Sequence, residues 1–470
     1  MSAATTSPRR AVALAALAFA LPLVAWALSN PLFAAPDETA HMVRAQSFAR
    51  LDFSPPFTTD GLPIEQVECY RFLSDTTAEC MDLTWLADGT QVDVPTDGYP
   101  PLVHIIAAIP ATVTSGLVGA YAVRVWLAAV VAGLFGWAFT IALRAGPWRA
   151  TGLLLGVTPG VAFISSSVNP SGITAAGSAL IAVSVLDRRD RGRTTRGNAA
   201  SLSVGCLILI GSRRDGVVWL AVIALLSALL IGWGNRSSLA AMMNSRTAKA
   251  RRIAASIVAA VVVTGGVRAV PWVWRFVENS GNADRSTWQA MRSLRVYFDQ
   301  LLGVFGWLDS TMGIEPMLLS VGVLATLMFG ALSSGRSRER RALLLGLVLL
   351  AAVPVAFGTL RYPYFQGRYQ IPLWIMVTTL AGSIIDRSKQ PPARPGVLLG
   401  VWGIVHLWSV INNSKRYAVG RNGSWELMLK GGGWHPPMMS NLIVFAMFAV
   451  VAVLVHHISR RITRGVGHEH

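Results

Sequence analysis

The chain of 470 residues has only three cysteines, so at most one disulfide can form within it. It has no segment that reads as a soluble domain, no single basic domain of the kind that grips nucleic acid, and no signature of nicotinamide or haem binding. It lacks an internal repeat, which argues against a transporter assembled from two equivalent halves. It also lacks a convincing small-residue cleavage site after its first apolar run, Ala11 to Leu28, so that run reads as an uncleaved helix behind Arg9 and Arg10.

What is present is apolar: 53% hydrophobic residues and a mean hydropathy of +0.49. The apolar residues come in blocks of about 16 to 23, near the roughly 20 needed for a helix to cross a hydrocarbon core about 30 Å thick. Backbone groups in that core must be paired internally, so the blocks predict helices. They fall near 11–29, 102–119, 121–143, 169–186, 199–212, 217–233, 253–271, 314–333, 342–359, 371–385, 396–411 and 438–457. The expected fold is therefore an all-α polytopic membrane protein, a single integral membrane domain of about 12 transmembrane helices.

The net charge of +17 is spread in short clusters between these blocks, at Arg188–Arg196, Arg246–Arg252, Arg336–Arg341, Arg387–Arg394 and Arg460–Arg464. Short cytoplasmic loops carry excess Lys and Arg, which predicts both termini inside. All clusters stay inside if the stretch 151–165, interrupted by Gly156 and Pro159-Gly160, is a re-entrant or broken helix that does not cross. Segments 30–100, 272–313, 360–370 and 412–437 then face outward. The first, a large extracytoplasmic loop, holds about half of all carboxylates, more than positive-inside bias asks for.

Several motifs lie at that outer edge. In Pro36-Asp37-Glu38, the proline stops a preceding helix and Asp37 is placed to cap one running to about Arg50. Asp37, His41 and Arg44 then share a stripe. Asp37 and Glu38 could act as a base or hold a divalent cation, or simply complement the helix dipole. Tyr99 leads through two prolines into a span with His104 one turn inside, an ionisable group in the outer leaflet. Arg213 and Arg214 run against the positive-inside trend and suit either phosphate or a snorkelling role. Arg361, Gln366, Arg368 and Tyr369 interleave donors with aromatics at a membrane edge, and Trp307 with Asp309 offers a ring face and a carboxylate to a sugar. Cys69 and Cys80 share the first outer loop and would pair in an oxidising compartment; Cys206 sits in an apolar block as a packing residue.

The motifs PDETAHMVRAQSFAR, GYPPLVHIIAAIP, SSSVNPSG, LGVFGWLD and QGRYQIPL, in this order, resemble the bacterial membrane-protein family named only as domain of unknown function 2142, over nearly the whole chain. That family is similar in layout to GT-C glycosyltransferases, which implies a sugar donor carried on a polyprenyl phosphate and a glycan or lipid acceptor at the outer face of the bacterial inner membrane. By that resemblance Asp37 would be the acceptor-activating base, with Glu38 and His41 supporting it or binding metal, and Arg368, Arg361 and Arg213 would hold the lipid phosphate. Asn169-Pro170-Ser171 departs from the pattern, since a carboxylate is expected there. Two rivals remain: a transporter or flippase of a lipid-linked or anionic precursor, and a polymerase or ligase of surface polysaccharide.

Overall fold

A computed structural model describes residues 8–60, 69–81, 88–94, 96, 98–192, 195–231, 291–359, 365–388 and 390–437. The expected spans 253–271 and 438–457, the segment 272–290 and Arg361 lie outside the described residues.

In chain order the helices are α1 (Pro8–Ser29), α2 (Glu38–Ala49), α3 (Leu102–Ala111), α4 (Gly116–Ala145), α5 (Pro147–Gly156), α6 (Pro159–Ser165), α7 (Pro170–Arg191), α8 (Arg196–Ser212) and α9 (Gly216–Ile231). They continue as α10 (Leu294–Gly303), α11 (Ile314–Ser334), α12 (Ser337–Thr359), α13 (Ile371–Ile385), α14 (Pro395–Val419) and α15 (Trp425–Leu429). Six of them, α1, α4, α7, α11, α12 and α14, are long and apolar enough to cross a membrane. Of their apolar windows, that of α7 is 94% buried and that of α12 only 22%, so α7 is central and α12 peripheral. Leu318, Phe329, Val348 and Ile404 stay exposed on the outer helices, the side chains a lipid would cover. Every residue of α13 is buried. It meets α5 through Gly152 and Gly382: a Cβ on either would run into the other helix's backbone, so small residues set the close approach.

Helix boundaries follow local chemistry. Asn169 and Thr158 accept from the amides of Ser171 and Val161, and each is followed by a proline that needs no partner for its missing N–H. Arg188, Arg189 and Arg191 fill the last turn of α7, which Gly192 ends at φ 65°.

The passage of the chain through the bundle corrects the expectation from hydropathy. α3 has only 10 residues, about 15 Å of helix, and stays at the end that carries Asp37. It ends where Thr114 donates back to the Pro110 carbonyl at 2.6 Å. α4 then makes one passage, from the Asn30 carbonyl, which accepts from Tyr121 at 3.1 Å, past Ala16 of α1 at Gly136 to the opposite end. The stretch expected to be re-entrant runs the whole depth as a helix broken at Val157 and Thr158. Its first amides, Trp148 and Arg149, donate to Asp386 at the far end (2.8 Å each), and it delivers Val168 to Glu38 (3.0 Å) and Asn169 to the Pro36 carbonyl (3.0 Å). One expected crossing is lost and one gained, so Arg188–Arg191 still lie opposite Asp37. At that far end Arg149, Arg189 and Arg387 pair with Asp190 and Glu339, tying α5, α7, α12 and the end of α13 together.

The bundle is helical, but the Asp37 end is not wholly so. β1 (Phe57–Asp60) pairs antiparallel with β2 (Asp88–Val92), and β3 (Val304–Phe305) with β4 (Ser310–Thr311). Residues 412–419, expected in an outer loop, complete α14. Cys69 and Cys80 form a disulfide, and Arg416 of α14 clamps the loop it closes, donating to the carbonyls of Tyr70 (2.8 Å), Leu73 (3.1 Å) and Thr76 (2.9 Å).

Candidate functional site

Asp37 stands just before α2, yet its carboxylate caps nothing. Its backbone sits at φ 63°, a region that costs an L-residue energy and is held only where surroundings demand it. The carboxylate instead pairs with the Nη2 of Arg368, whose Nη1 donates to the Pro36 carbonyl at 3.0 Å. The Arg368 side chain is 9% exposed and that of Asp37 45%, so the acid faces open space over a buried cation. Arg368 is carried by a 3-10 turn, Gly367–Gln370. A Cβ on Gly367 would meet the Tyr297 carbonyl, and its amide donates to Gln300 Oε1 at 2.7 Å, which presses this turn onto α10.

Arg213 reaches the same place from the α8–α9 turn. Its Nε and Nη2 donate to Asp215 (2.7 and 3.1 Å), its Nη1 to Ser171 Oγ at 2.8 Å, and its guanidinium lies 4.6 Å from the Tyr369 ring centre. Arg368 lies 5.5 Å from the same ring, so two cations flank one phenol. Burial works against the charge on Arg368, but Asp37 and the phenols of Tyr369 and Tyr99 outweigh it and raise its pKa. Asp215 does the same for Arg213. Burial lifts the Tyr99 phenol above its ordinary value, with the two arginines opposing.

Beside these, His41 and His104 share a hydrogen bond of 3.0 Å, and Tyr99 stands edge-on to His41 at 5.0 Å between centres. Burial, then Arg368, Arg213 and Arg44, hold the His41 pKa well below 6.5, so the ring is neutral at pH 7. Arg44 donates to the carbonyls of Thr96 (2.5 Å) and Tyr99 (3.0 Å), fastening the loop that carries Tyr99. Arg214 likewise donates to the Gly98 carbonyl.

The structure brings Asp37, Arg368, Arg213, Tyr369, Tyr99 and His41 together, with Asn169 behind Pro36 and Gln366 opening the turn. It separates others. Glu38 does not join Asp37 in a shared ligand set: both its oxygens are taken by Arg124 inside the protein, and Oε1 also accepts from Val168. A divalent cation therefore cannot be held by that acidic pair as it stands, and no group of three or more His, Cys, Asp or Glu converges among the described residues. Trp307 and Asp309 belong to a second cluster. Trp307 donates to the Phe33 carbonyl (3.0 Å) with Arg71 over its ring at 4.0 Å, and Asp309 pairs with Arg416 at 2.8 Å.

Arg124 lies outside the motifs of the sequence, although an arginine inside the apolar run of α4 is itself a signal. Its five donor contacts reach Glu38 and the carbonyls of Ala27, Asn30 and Pro31.

Fold and site together define a multi-pass helical membrane protein with a polar site at one end of its bundle. Residues 19–377 match the family described as predicted membrane protein, domain of unknown function 2142, and the chain belongs to that family. No curated protein matches it. Among solved structures it is similar to ArnT from Cupriavidus metallidurans in the apo state, with 13% identity and a TM-score of 0.49 over 97% of this chain and 77% of that one. The same protein bound to undecaprenyl phosphate gives 12% identity and a TM-score of 0.47 over 97% and 78%.

Proposed function

We propose that the protein is a membrane glycosyltransferase of the GT-C type, moving a sugar from a polyprenyl-phosphate donor to a cell-envelope acceptor at the extracytoplasmic face. The observation that carries this reading is the pairing of Asp37 with Arg368 beside Arg213, a half-exposed carboxylate over two buried guanidinium groups. The motif resemblance to a family of GT-C-like layout supports it. The disulfide between Cys69 and Cys80 supports an oxidising compartment at the Asp37 end, and the basic far end supports a cytoplasmic location there, with both termini inside and segments 30–100, 272–313 and 412–437 facing out.

In this mechanism Asp37 accepts the proton of the acceptor hydroxyl, whose oxygen attacks the anomeric carbon. The bond from that carbon to the phosphate oxygen breaks, and its electron pair leaves with the polyprenyl phosphate. Arg368 and Arg213 neutralise the developing charge, work suited to planar guanidinium groups. Arg368 holds the Asp37 carboxylate in place until the phosphate draws the guanidinium away and frees the base. Tyr99 and Tyr369 stand beside the two arginines, Gln366 is assigned to the approach, and neutral His41 can accept or donate a hydrogen bond without adding charge.

The test is purified Asp37→Asn protein in nanodiscs with a radiolabelled polyprenyl-phosphate sugar and envelope glycan acceptors. Transfer should fall by about 10²- to 10⁴-fold, the range for a lost general base, while donor is still retained. Donor-dependent transfer at the wild-type rate by the variant would remove the proposal, and movement of the intact lipid across the bilayer without transfer would favour a flippase.

A further inference from the structure

At the end of the bundle opposite Asp37 lies a cavity of about 600 Å³. Val12 and Ala13 of α1 and Trp137 and Ile141 of α4 give it an apolar wall. Arg144, one residue before the end of α4, and Arg191, the last residue of α7, give it a basic mouth. None of these residues belongs to the Asp37 site, which lies beyond the other end of α1, 17 residues or about 25 Å of helix from Val12 to Ser29.

The two arginines are set up differently, and both are available. Arg144 is exposed and makes no ion pair or hydrogen bond among the described residues. Arg191 is tethered by one atom only: its Nε donates to Asp187 Oδ1 at 2.7 Å, leaving both terminal nitrogens free among the described residues on a side chain 51% exposed. Asp187 is itself buried and accepts from Asn198 through its other oxygen, so the acid in the wall aims Arg191 and offsets one of the two positive charges, which leaves the mouth net positive through Arg144. The mouth therefore presents two guanidinium groups with terminal N–H donors, the chemistry that suits a phosphate.

The wall decides which phosphate. A free anion would leave the indole of Trp137 and the side chains of Val12 and Ile141 in water, whereas an amphiphile covers them. Leu14 and Leu17 on α1 stay exposed at 61% and 54%, continuing the apolar surface toward where acyl chains would lie. We propose that this hollow binds the phosphodiester headgroup of an anionic glycerophospholipid from the leaflet opposite Asp37, the phosphate between Arg144 and Arg191 and the chains along α1. Basic residues near an anionic leaflet are attracted to it, and a shaped hollow converts that general attraction into a defined site. The inference is independent of the enzymatic reading, since it shares no residue with that site.

Native mass spectrometry of the full-length protein, titrated in detergent with phosphatidylglycerol and separately with phosphatidylcholine, tests it. Wild type should retain phosphatidylglycerol in preference to phosphatidylcholine. Arg144→Gln should weaken that retention about five-fold, the effect of one arginine near an anionic surface, and Arg144→Lys should largely keep it. Arg144 makes no ion pair or hydrogen bond among the described residues, so an unchanged thermal midpoint in Arg144→Gln separates lost binding from lost structure. Charge reversal in Arg144→Glu should abolish the preference. Equal retention of the two lipids by wild type, unchanged retention in Arg144→Gln and Arg144→Glu, or displacement of phosphatidylglycerol by millimolar inorganic phosphate would each overturn the proposal.

Discussion

Glu38 and Arg124, 86 residues apart in the chain, meet inside the protein in a two-pronged ion pair, Nε to Oε1 at 2.7 Å and Nη2 to Oε2 at 2.5 Å. The remaining donors of Arg124 hold the carbonyls that end α1, and Glu38 also receives the amide of Val168. Three separate pieces of chain are thereby fixed around the backbone that presents Asp37 in its unfavourable conformation. Burying two charges is costly, and here every donor of the guanidinium finds an acceptor.

Removing one partner should expose that cost. In Glu38→Gln the cation of Arg124 is left without a counter-charge, a change worth about 3 to 5 kcal/mol. The apparent melting midpoint in detergent, followed by tryptophan fluorescence, should fall clearly. Glu38→Gln combined with Arg124→Gln should recover part of it, and a loss equal to the sum of the two single changes would mean the pair is not coupled.

Arg368→Lys probes the fork that joins Asp37 to the Pro36 carbonyl. A lysine keeps the charge but cannot make both contacts in one plane. Losing one charge-assisted hydrogen bond corresponds to about 10- to 100-fold in donor affinity or turnover. Initial rates of sugar transfer against donor concentration measure it, and kinetics like wild type would show that a point charge suffices.

The pH response of the fold should carry the mark of His41. Its folded pKa lies well below 6.5 through burial and the nearby arginines, so the unfolded chain takes up the proton first as pH falls. The stability contributed is complete above about pH 7 and is lost as pH drops through and below 6.5. Thermal midpoints between pH 8 and pH 5 should decline, less steeply in His41→Gln; parallel curves for the two proteins would refute this assignment.

Gly367→Ala tests whether the Arg368 turn must lie hard against α10. The added methyl meets the Tyr297 carbonyl, so the turn has to move outward and take Arg368 from Asp37. Transfer activity should drop while the protein still purifies as a folded membrane protein, since the turn sits at the end of the bundle. Full activity would show that the arginine tolerates displacement.

Much of the architecture is legible in hydropathy because a long apolar run has few alternatives to a helix. α7, α11 and α13 follow the expected blocks closely, and α2 ends at Ala49, next to the Arg50 anticipated. The run from 102 to 143 misleads for a definite reason. Composition cannot tell a 10-residue helix lying at one end from a crossing one, nor see that Pro159 and Thr158 break a passage without ending it. Asp37 and Arg368 stand out because charge and aromatics concentrate at their motifs. Arg124 is missed although the same rule that flags His104 applies to it.

The sequence by itself determines that this is a multi-pass helical protein, which end of most helices is basic, and which polar motifs fall at the other end, because these depend on local runs of residue chemistry. Only tertiary structure decides that Asp37 faces Arg368 across 331 positions while its neighbour Glu38 turns inward to Arg124. Adjacent carboxylates look alike in a sequence. Their roles diverge because burial and the nearest guanidinium are supplied by helices far along the chain, and those contacts exist only once the bundle has closed.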